Sequence, residues 1–390
     1  MKYDSAMFKF QGEPLTPEQK RTFHTFASIL ALGLIAVVIS VLFQPLILPR
    51  MDFYNELWGP VYLLVHGQSP YDTASLNPVL PAVWFPMAVG FFFPLGWLSE
   101  EAALQTWFIF NVIEICMVIF LVQGNGRSLY NTAALALLCF FFPFVLNHFN
   151  LGQFSITILL CLMLSAHWIG KYGNWPSAFF LALALAKPQL GILAVFGLAV
   201  FQFRQRGFKG IFLFGAQTLL MALFMSLPLF IAHPAWIPDW LTSMAKNYTW
   251  LHPSLFSILR QTLGVWGTVI WMVIAVGGLI SALFLWKNLP PFLAMLWSLA
   301  LTTLVTPYVW SWDFVLLLPL WMFSFVKAGW RSRIFLLASY AIAWYGMALV
   351  QMQAGSQNQS FWWVPLWFVG TLALAAFFSP DLAKVQDGKV

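Results

Sequence analysis

The chain has 390 residues, of which 61% are hydrophobic and only 8% charged, with a formal net charge of +6. Soluble domains carry about 25% charged residues, so this composition excludes a water-soluble enzyme, a disordered chain and a small secreted disulfide scaffold. It is the composition of an all-α, polytopic membrane protein; evenly spaced alternating strands, the mark of an outer-membrane barrel, are not seen.

In chain order, a polar segment over residues 1–22 comes first. It is too long and too mixed for a cleaved signal and reads as the cytoplasmic lead of a signal anchor. Apolar runs of helical length follow at 23–47, 101–122, 131–147, 154–170, 176–187, 189–203, 209–232, 265–286, 291–306, 314–328, 333–352 and 362–379, which predicts about twelve spans. Between the first two runs lies a long loop, 48–100. Its apolar stretch 78–98 carries Pro78, Pro81, Pro86 and Pro94, and proline at that density predicts a broken juxtamembrane or re-entrant segment packed on other protein. Cys116, Cys139 and Cys161 sit inside apolar runs without metal-ligand spacing and read as core packing. A tail, 380–390, closes what reads as one integral membrane domain over 1–390.

Positive charge sets the orientation. With the N-terminus in the cytoplasm and twelve alternating spans, 15 of the 19 Lys and Arg fall on the cytoplasmic side. Only Arg50, Lys187, Lys246 and Arg260 fall outside. Both termini are then cytoplasmic, and the acids Asp52, Glu56, Asp72, Glu100, Glu101, Asp239 and Asp313 are outer. The outer face also holds the polar runs 147–153 and 356–360. Function is expected there, on the longer and chemically richer loops. No phosphate-binding P-loop and no dinucleotide fingerprint occurs.

Several residues carry candidate chemistry beside a plainer reading. Asp52 either marks the end of the first span or, at the membrane edge and before a long loop containing Tyr71, acts as a general base. Lys187, in Ala186-Lys187-Pro188-Gln189, is either a snorkelling lysine or a cation at a helix break that awaits an anion such as a lipid phosphate. Arg260 anchors an amphipathic segment at the interface or forks onto phosphate, with His252 in the same loop. His148, Asn150 and Gln153 cap the fourth span or meet sugar hydroxyls. Tyr308, Trp310, Trp312 and Asp313 belong to an interfacial aromatic belt or form a stacking face with a carboxylate beside it. Glu114 lies mid-span, either as a buried hydrogen-bonded acid or as a site residue. No Cys/His pair has ligand spacing, so no metal cofactor is expected; Asp52 with Asp313 is the one carboxylate pair weighed for a divalent ion.

At these residues the sequence resembles glycosyltransferase family 87, the polyprenol-phosphate-sugar-dependent enzymes. Four patterns carry the resemblance: Asp52-Phe53-Tyr54 leading to Gly67-Gln68-Ser69-Pro70-Tyr71-Asp72; the proline-punctuated run from Pro81 to Pro94, with Trp107 and Asn111; Asn150-Leu151-Gly152-Gln153 followed by Ala186-Lys187-Pro188-Gln189; and Thr306-Pro307-Tyr308 with Trp310, Trp312 and Asp313. The resemblance implies a GT-C fold and transfer of one sugar, most often mannose, from a polyprenyl-phosphate carrier to a lipid or glycan acceptor at the outer face of a plasma membrane. It further implies Asp52 as catalytic base, inversion at the anomeric carbon, and Lys187 neutralising the carrier phosphate. Many members have a histidine pair where this chain has Trp312 and Asp313. The competing readings are a transporter or flippase, with Lys187-Pro188 as a broken helix at its site, and a non-catalytic scaffold.

Overall fold

The structure is a computed structural model, and it describes residues 16–43, 52–76, 82, 84–245, 251–354 and 357–378. Arg50, Asn77, Pro78, Pro81, Lys246, Asn247, Ser356 and both terminal segments lie outside the described residues. The described chain is helical, with no strand. In order, the helices are α1 (Pro17–Phe43), α2 (Gly59–Val65), α3 (Pro86–Phe92), α4 (Glu100–Gln123), α5 (Leu129–Phe140), α6 (Pro143–Leu151), α7 (Ser155–Trp168), α8 (Trp175–Ala184) and α9 (Ile192–Met225). They continue as α10 (Leu227–Ala232), α11 (Trp236–Ala245), α12 (Leu255–Leu263), α13 (Val265–Asn288), α14 (Pro291–Val305), α15 (Leu318–Lys327), α16 (Trp330–Ala354) and α17 (Trp363–Phe378).

Six helices among the described residues are long and apolar enough to cross a membrane, and the bent pair α5–α6 adds a seventh. This is a multi-pass membrane protein. The sequence count of twelve differs because several apolar runs fold as helices of 10–17 residues, α7 and α14 among them. One long helix is also interrupted. Within α9, Arg206 (φ −144°) and Gly207 (φ 62°) leave helical geometry, and a side chain at position 210 would strike the carbonyl of Gln202. The chain bends back there, dividing α9 where the sequence separates its runs 189–203 and 209–232.

Local chemistry explains the boundaries. Ser99 caps α4 by accepting from the Ala102 N–H at 3.3 Å, and Glu100 and Glu101 occupy its first turn, where the helix dipole favours negative charge. Pro86 opens α3 in the first turn, where no N–H is needed, and Pro94 marks the change to a 3₁₀ turn over Phe93–Trp97. The proline-rich stretch therefore does hold short helices in its described part.

The segment Ser155–Ala166 of α7 is buried on every side, as its uninterrupted apolar sequence requires. Around it pack α8, α4, α14 and the 3₁₀ segment Ser311–Leu317. The three cysteines are free and buried. Glu114 of α4 accepts from Thr157 Oγ1 of α7 at 2.8 Å, which makes it a buried, hydrogen-bonded acid joining two helices.

Basic residues tie helix ends together. Arg204 donates to the carbonyls of Trp286 and Lys287, Gly126 lies against Val326, and Arg333 donates to Val326 and Ala328. Asp52, Lys187 and Asp313 gather at the start of α7. The 24 residues of α4 make a helix about 36 Å long.

Candidate functional site

The site forms where α7 begins. Asp52 precedes a π-helical turn, Phe53–Trp58, and its carboxylate makes no cap bond to that turn. Such turns recur at functional sites because they re-aim side chains. Here Asp52 faces Gln153, whose Nε2 donates to Asp52 Oδ2. The carboxylate is half-buried. Burial raises its pKa above the usual carboxylate range, opposed by the Gln153 hydrogen bond and the Lys187 charge and reinforced by Asp313.

Gln153 is aimed by a tight turn. Helix α6 ends at Gly152, which is left-handed (φ 65°, ψ 36°), and a side chain there would collide with Phe53 Cβ, at 2.6 Å. Trp107 Nε1 clamps the Gly152 carbonyl at 2.9 Å. Gly152→Ala should therefore cost about 1–2 kcal/mol from backbone handedness alone, and the collision with Phe53 should push Gln153 away from Asp52. Thermal unfolding in detergent should show the loss, and transfer activity should fall with it.

Lys187 is a buried cation that already has its anion. The helical hairpin α7–α8 runs away from Ser155 and returns, placing Lys187 beside the start of α7. Its Nζ lies 2.6 Å from Asp313 Oδ1 and donates to Ser155 Oγ at 3.2 Å. Ser155 Oγ in turn donates to Asp313 Oδ1 at 2.5 Å, and the Trp310 N–H donates to Asp313 Oδ2 at 2.9 Å. The Trp84 ring lies 5.2 Å from Nζ. The sequence alone suggests a cation awaiting an external phosphate; in the fold Lys187 also has an internal counter-ion, Asp313, 126 residues on. Asp313 is fully buried and held from three sides, so it supports the site from beneath.

Above this pair lies an aromatic tier. Trp310 and Trp312 stack 4.9 Å apart at 9°. Trp310 Nε1 donates to Tyr308 Oη at 2.8 Å, and the His252 ring lies 4.6 Å from Tyr308. Ser254 Oγ ties the His252 loop to Pro307 O at 2.9 Å. Asn358, from the polar run before α17, exchanges hydrogen bonds with Ser311 at 3.0 and 2.9 Å and so fixes the turn that carries Asp313.

Other candidates sit apart from this tier or play a supporting part. His148 is fully buried, and its Nε2 accepts the Ile156 N–H at 3.1 Å, capping α7 as the plainer reading has it. Tyr71 is buried and donates to the Trp84 carbonyl at 3.4 Å, steadying the indole that faces Lys187. Arg260 is exposed on α12, with its guanidinium 5.7 Å from the Phe256 ring; it does not join Lys187. Asn150 is exposed at the end of α6, and Gln189 is half-buried in the 3₁₀ turn Pro188–Leu190. Among the described residues no group of three or more His, Cys, Asp or Glu side chains converges as metal ligands.

Three site residues escape the sequence reading: Glu56, Trp84 and Ser155. Trp84 Nε1 donates to Glu56 Oε2 at 3.1 Å, so one indole spans the gap between Glu56 and Lys187. The spacing Asp52-x-x-x-Glu56 was the available signal, since residues four apart share a helix face. Ser155 and Trp84 leave no such trace.

A sequence model of glycosyltransferase family 87 matches residues 83–307, more than half of the chain. The chain belongs to glycosyltransferase family 87. No curated protein and no solved structure matches it. Family 87 membership makes it a glycosyltransferase and sets aside the flippase and scaffold readings. The matched stretch holds Trp84, His148, Gln153, Ser155 and Lys187. Asp52 and Glu56 precede it, and Asp313 follows it. In this family 87 chain the fold therefore joins three acids from outside the match to the polar groups within it.

Proposed function

We propose that the protein transfers one sugar, mannose as the first choice, from a polyprenyl-phosphate carrier to a hydroxyl of a lipid or glycan acceptor, at the outer face of a plasma membrane. The observation that carries this reading is the half-buried Asp52, hydrogen-bonded to Gln153 and electrostatically coupled to the buried Lys187–Asp313 pair, in a family 87 chain. Asp52 removes the acceptor proton. The acceptor oxygen then bonds to the anomeric carbon as the carbon–phosphate-oxygen bond breaks, with its electron pair leaving on the phosphate. Direct displacement inverts the anomeric carbon. One base is enough, because a phosphate leaves without a proton. Lys187, anchored by Asp313 and Ser155, is the fixed positive charge nearest this chemistry. The stacked Trp310 and Trp312 offer an apolar face to a sugar ring.

The lipid half of the donor has a matching groove. A cavity of about 610 Å³, walled almost wholly by apolar groups, runs between α3, α8, α9 and α11 and is lined by Phe85, Leu185, Val195, Phe214, Phe230 and Trp240. Phe85 is the neighbour of Trp84, and Leu185 lies two residues before Lys187, so the groove starts where the polar cluster ends. Gly215 lines it with open space around the site of a side chain. Gly215→Trp should fill the groove without a backbone clash. It should raise KM for a long-chain donor about tenfold, as expected from losing roughly two buried methylenes at about 0.8 kcal/mol each, and should affect a short-chain donor far less.

Six long apolar helices, or seven with α5–α6 as one pass, are present among the described residues, and residues 52–99 fall between the first two of them. In the proposed GT-C arrangement both termini are cytoplasmic and the site is outer, a reading supported by the order of Lys and Arg along the sequence. The test is transfer by the purified protein in lipid nanodiscs, from radiolabelled polyprenyl-phosphate mannose to a bacterial lipid extract, with glucose and arabinose carriers in parallel. Label appearing in the acceptor fraction supports the proposal. Transfer from a nucleotide sugar and from none of the carriers overturns it.

A further inference from the structure

Glu56 stands outside the mechanism above, yet the fold spends several groups on it. It lies one turn from Asp52 on the same π-helical segment, and its Oε2 receives the Trp84 indole N–H at 3.1 Å. Asp52 lies on its own segment, and the Trp84 ring that binds Glu56 lies 5.2 Å from Lys187 Nζ, which pairs with Asp313; the charges of Asp52, Lys187 and Asp313 all act on Glu56, and Glu56 acts on Tyr308. Three carboxyl groups thus share one lysine, and that lysine is already paired at 2.6 Å with Asp313. If Glu56 were ionised as well as Asp52, two negative charges would stand beside a phosphate-bearing donor, and among the described residues the one lysine near them is already paired with Asp313.

We infer that Glu56 is a positioning residue for the transfer reaction: a carboxylic acid, oriented by Trp84, that stays protonated while Asp52 is ionised and so leaves Asp52 as the single working base. The inference rests on the glycosyl-transfer reading for its role in the rate, but not for the proton itself. Burial, with the Asp52 charge second, pushes the Glu56 carboxyl up to about 8, against the Lys187 charge and the Trp84 hydrogen bond. The sign follows. Below that pH Glu56 is neutral; above it a second negative charge forms beside Asp52 and the donor phosphate, and the rate falls. Asp52 therefore sets the acid limb of the pH profile and Glu56 the alkaline limb.

Two measurements on the full-length protein in nanodiscs test this. The first is infrared difference spectroscopy of wild type against Glu56→Gln across a pH series. The difference should contain one protonated-carboxyl band that fades as pH rises through about 8. The band should fade at lower pH in Asp52→Asn, which removes a neighbouring anion, and at higher pH in Trp84→Phe, which removes a hydrogen bond to the ionised form. The second is the pH profile of sugar transfer. The ratio of the rate at pH 9 to that at pH 7 should be about tenfold higher in Glu56→Gln than in wild type, because only the wild type ionises in that interval. A residue serving only as a structural contact for Trp84 would move neither readout. A difference spectrum without a titrating carboxyl, or one indifferent to Asp52→Asn, overturns the inference even if transfer proceeds. An unchanged alkaline limb in Glu56→Gln overturns its role in the reaction. Absence of transfer by the wild type from every carrier would count against the proposed function, and the infrared result would still decide Glu56.

Discussion

Asp52→Asn is expected to reduce sugar transfer by about 10²–10⁴-fold, the usual contribution of a positioned general base, with little change in folding. Asparagine has the same size, and its side-chain oxygen still accepts from Gln153 Nε2. The loss should fall on kcat, because the carboxylate acts on the acceptor proton and does not hold the donor. The wild-type profile adds a second check. Burial holds the Asp52 pKa above the usual carboxylate range, so activity should decline toward acid beginning above that range. The Gln153 hydrogen bond favours the ionised form; Gln153→Ala should therefore move the acid limb to still higher pH. A folded Asp52→Asn enzyme with wild-type kcat would remove Asp52 from the mechanism.

Lys187→Met is expected to be the most destabilising single change at the site. Lys187 and Asp313 are 5% and 0% exposed, and removing one partner of a buried pair leaves the other charge without compensation, typically at about 3–5 kcal/mol. Ser155 and the Trp310 N–H would still bind the stranded carboxylate, but neither supplies positive charge. The double variant Lys187→Met with Asp313→Leu should recover most of the lost stability, since replacing both charges of a buried pair by apolar groups is often close to neutral. Activity then separates two roles. If Lys187 only anchors the fold, the double variant regains transfer along with its melting temperature. If its charge serves the departing phosphate, the double variant folds and stays inactive. The second outcome is expected, because among the described residues Lys187 is the cation held within the Ser155–Asp313 cluster, while Arg260 is exposed on α12 beside the Phe256 ring.

The contrast between Lys187 and Arg260 shows where sequence reading reaches its limit. Both are cations on the acid-rich side of the chain, and both sit at breaks in apolar runs. Charge bias and hydropathy treat them alike, because these are sums over local windows. Which of them is buried depends on the return of the α7–α8 hairpin and on a 3₁₀ turn 126 residues further along. Likewise, the sequence separates two apolar runs around residues 204–208, and the backbone breaks there, because Gly207 permits a left-handed angle and the neighbouring basic residues belong in water. It does not distinguish a full span from a 14-residue helix such as α7. That difference is set by the helices packed around it, which bury it regardless of its length.

The membrane class and the family follow from composition, hydropathy and motif spacing. Both are carried by neighbouring residues or by averages along the chain. Asp52 was visible as a candidate because it opens a motif at the edge of an apolar run. Its Gln153 partner, the Trp84 bridge from Glu56 to Lys187, and the Lys187–Asp313 pair were decided only by tertiary structure. These contacts join residues far apart in sequence, and a buried charge takes its meaning from the group that neutralises it, which no local pattern records.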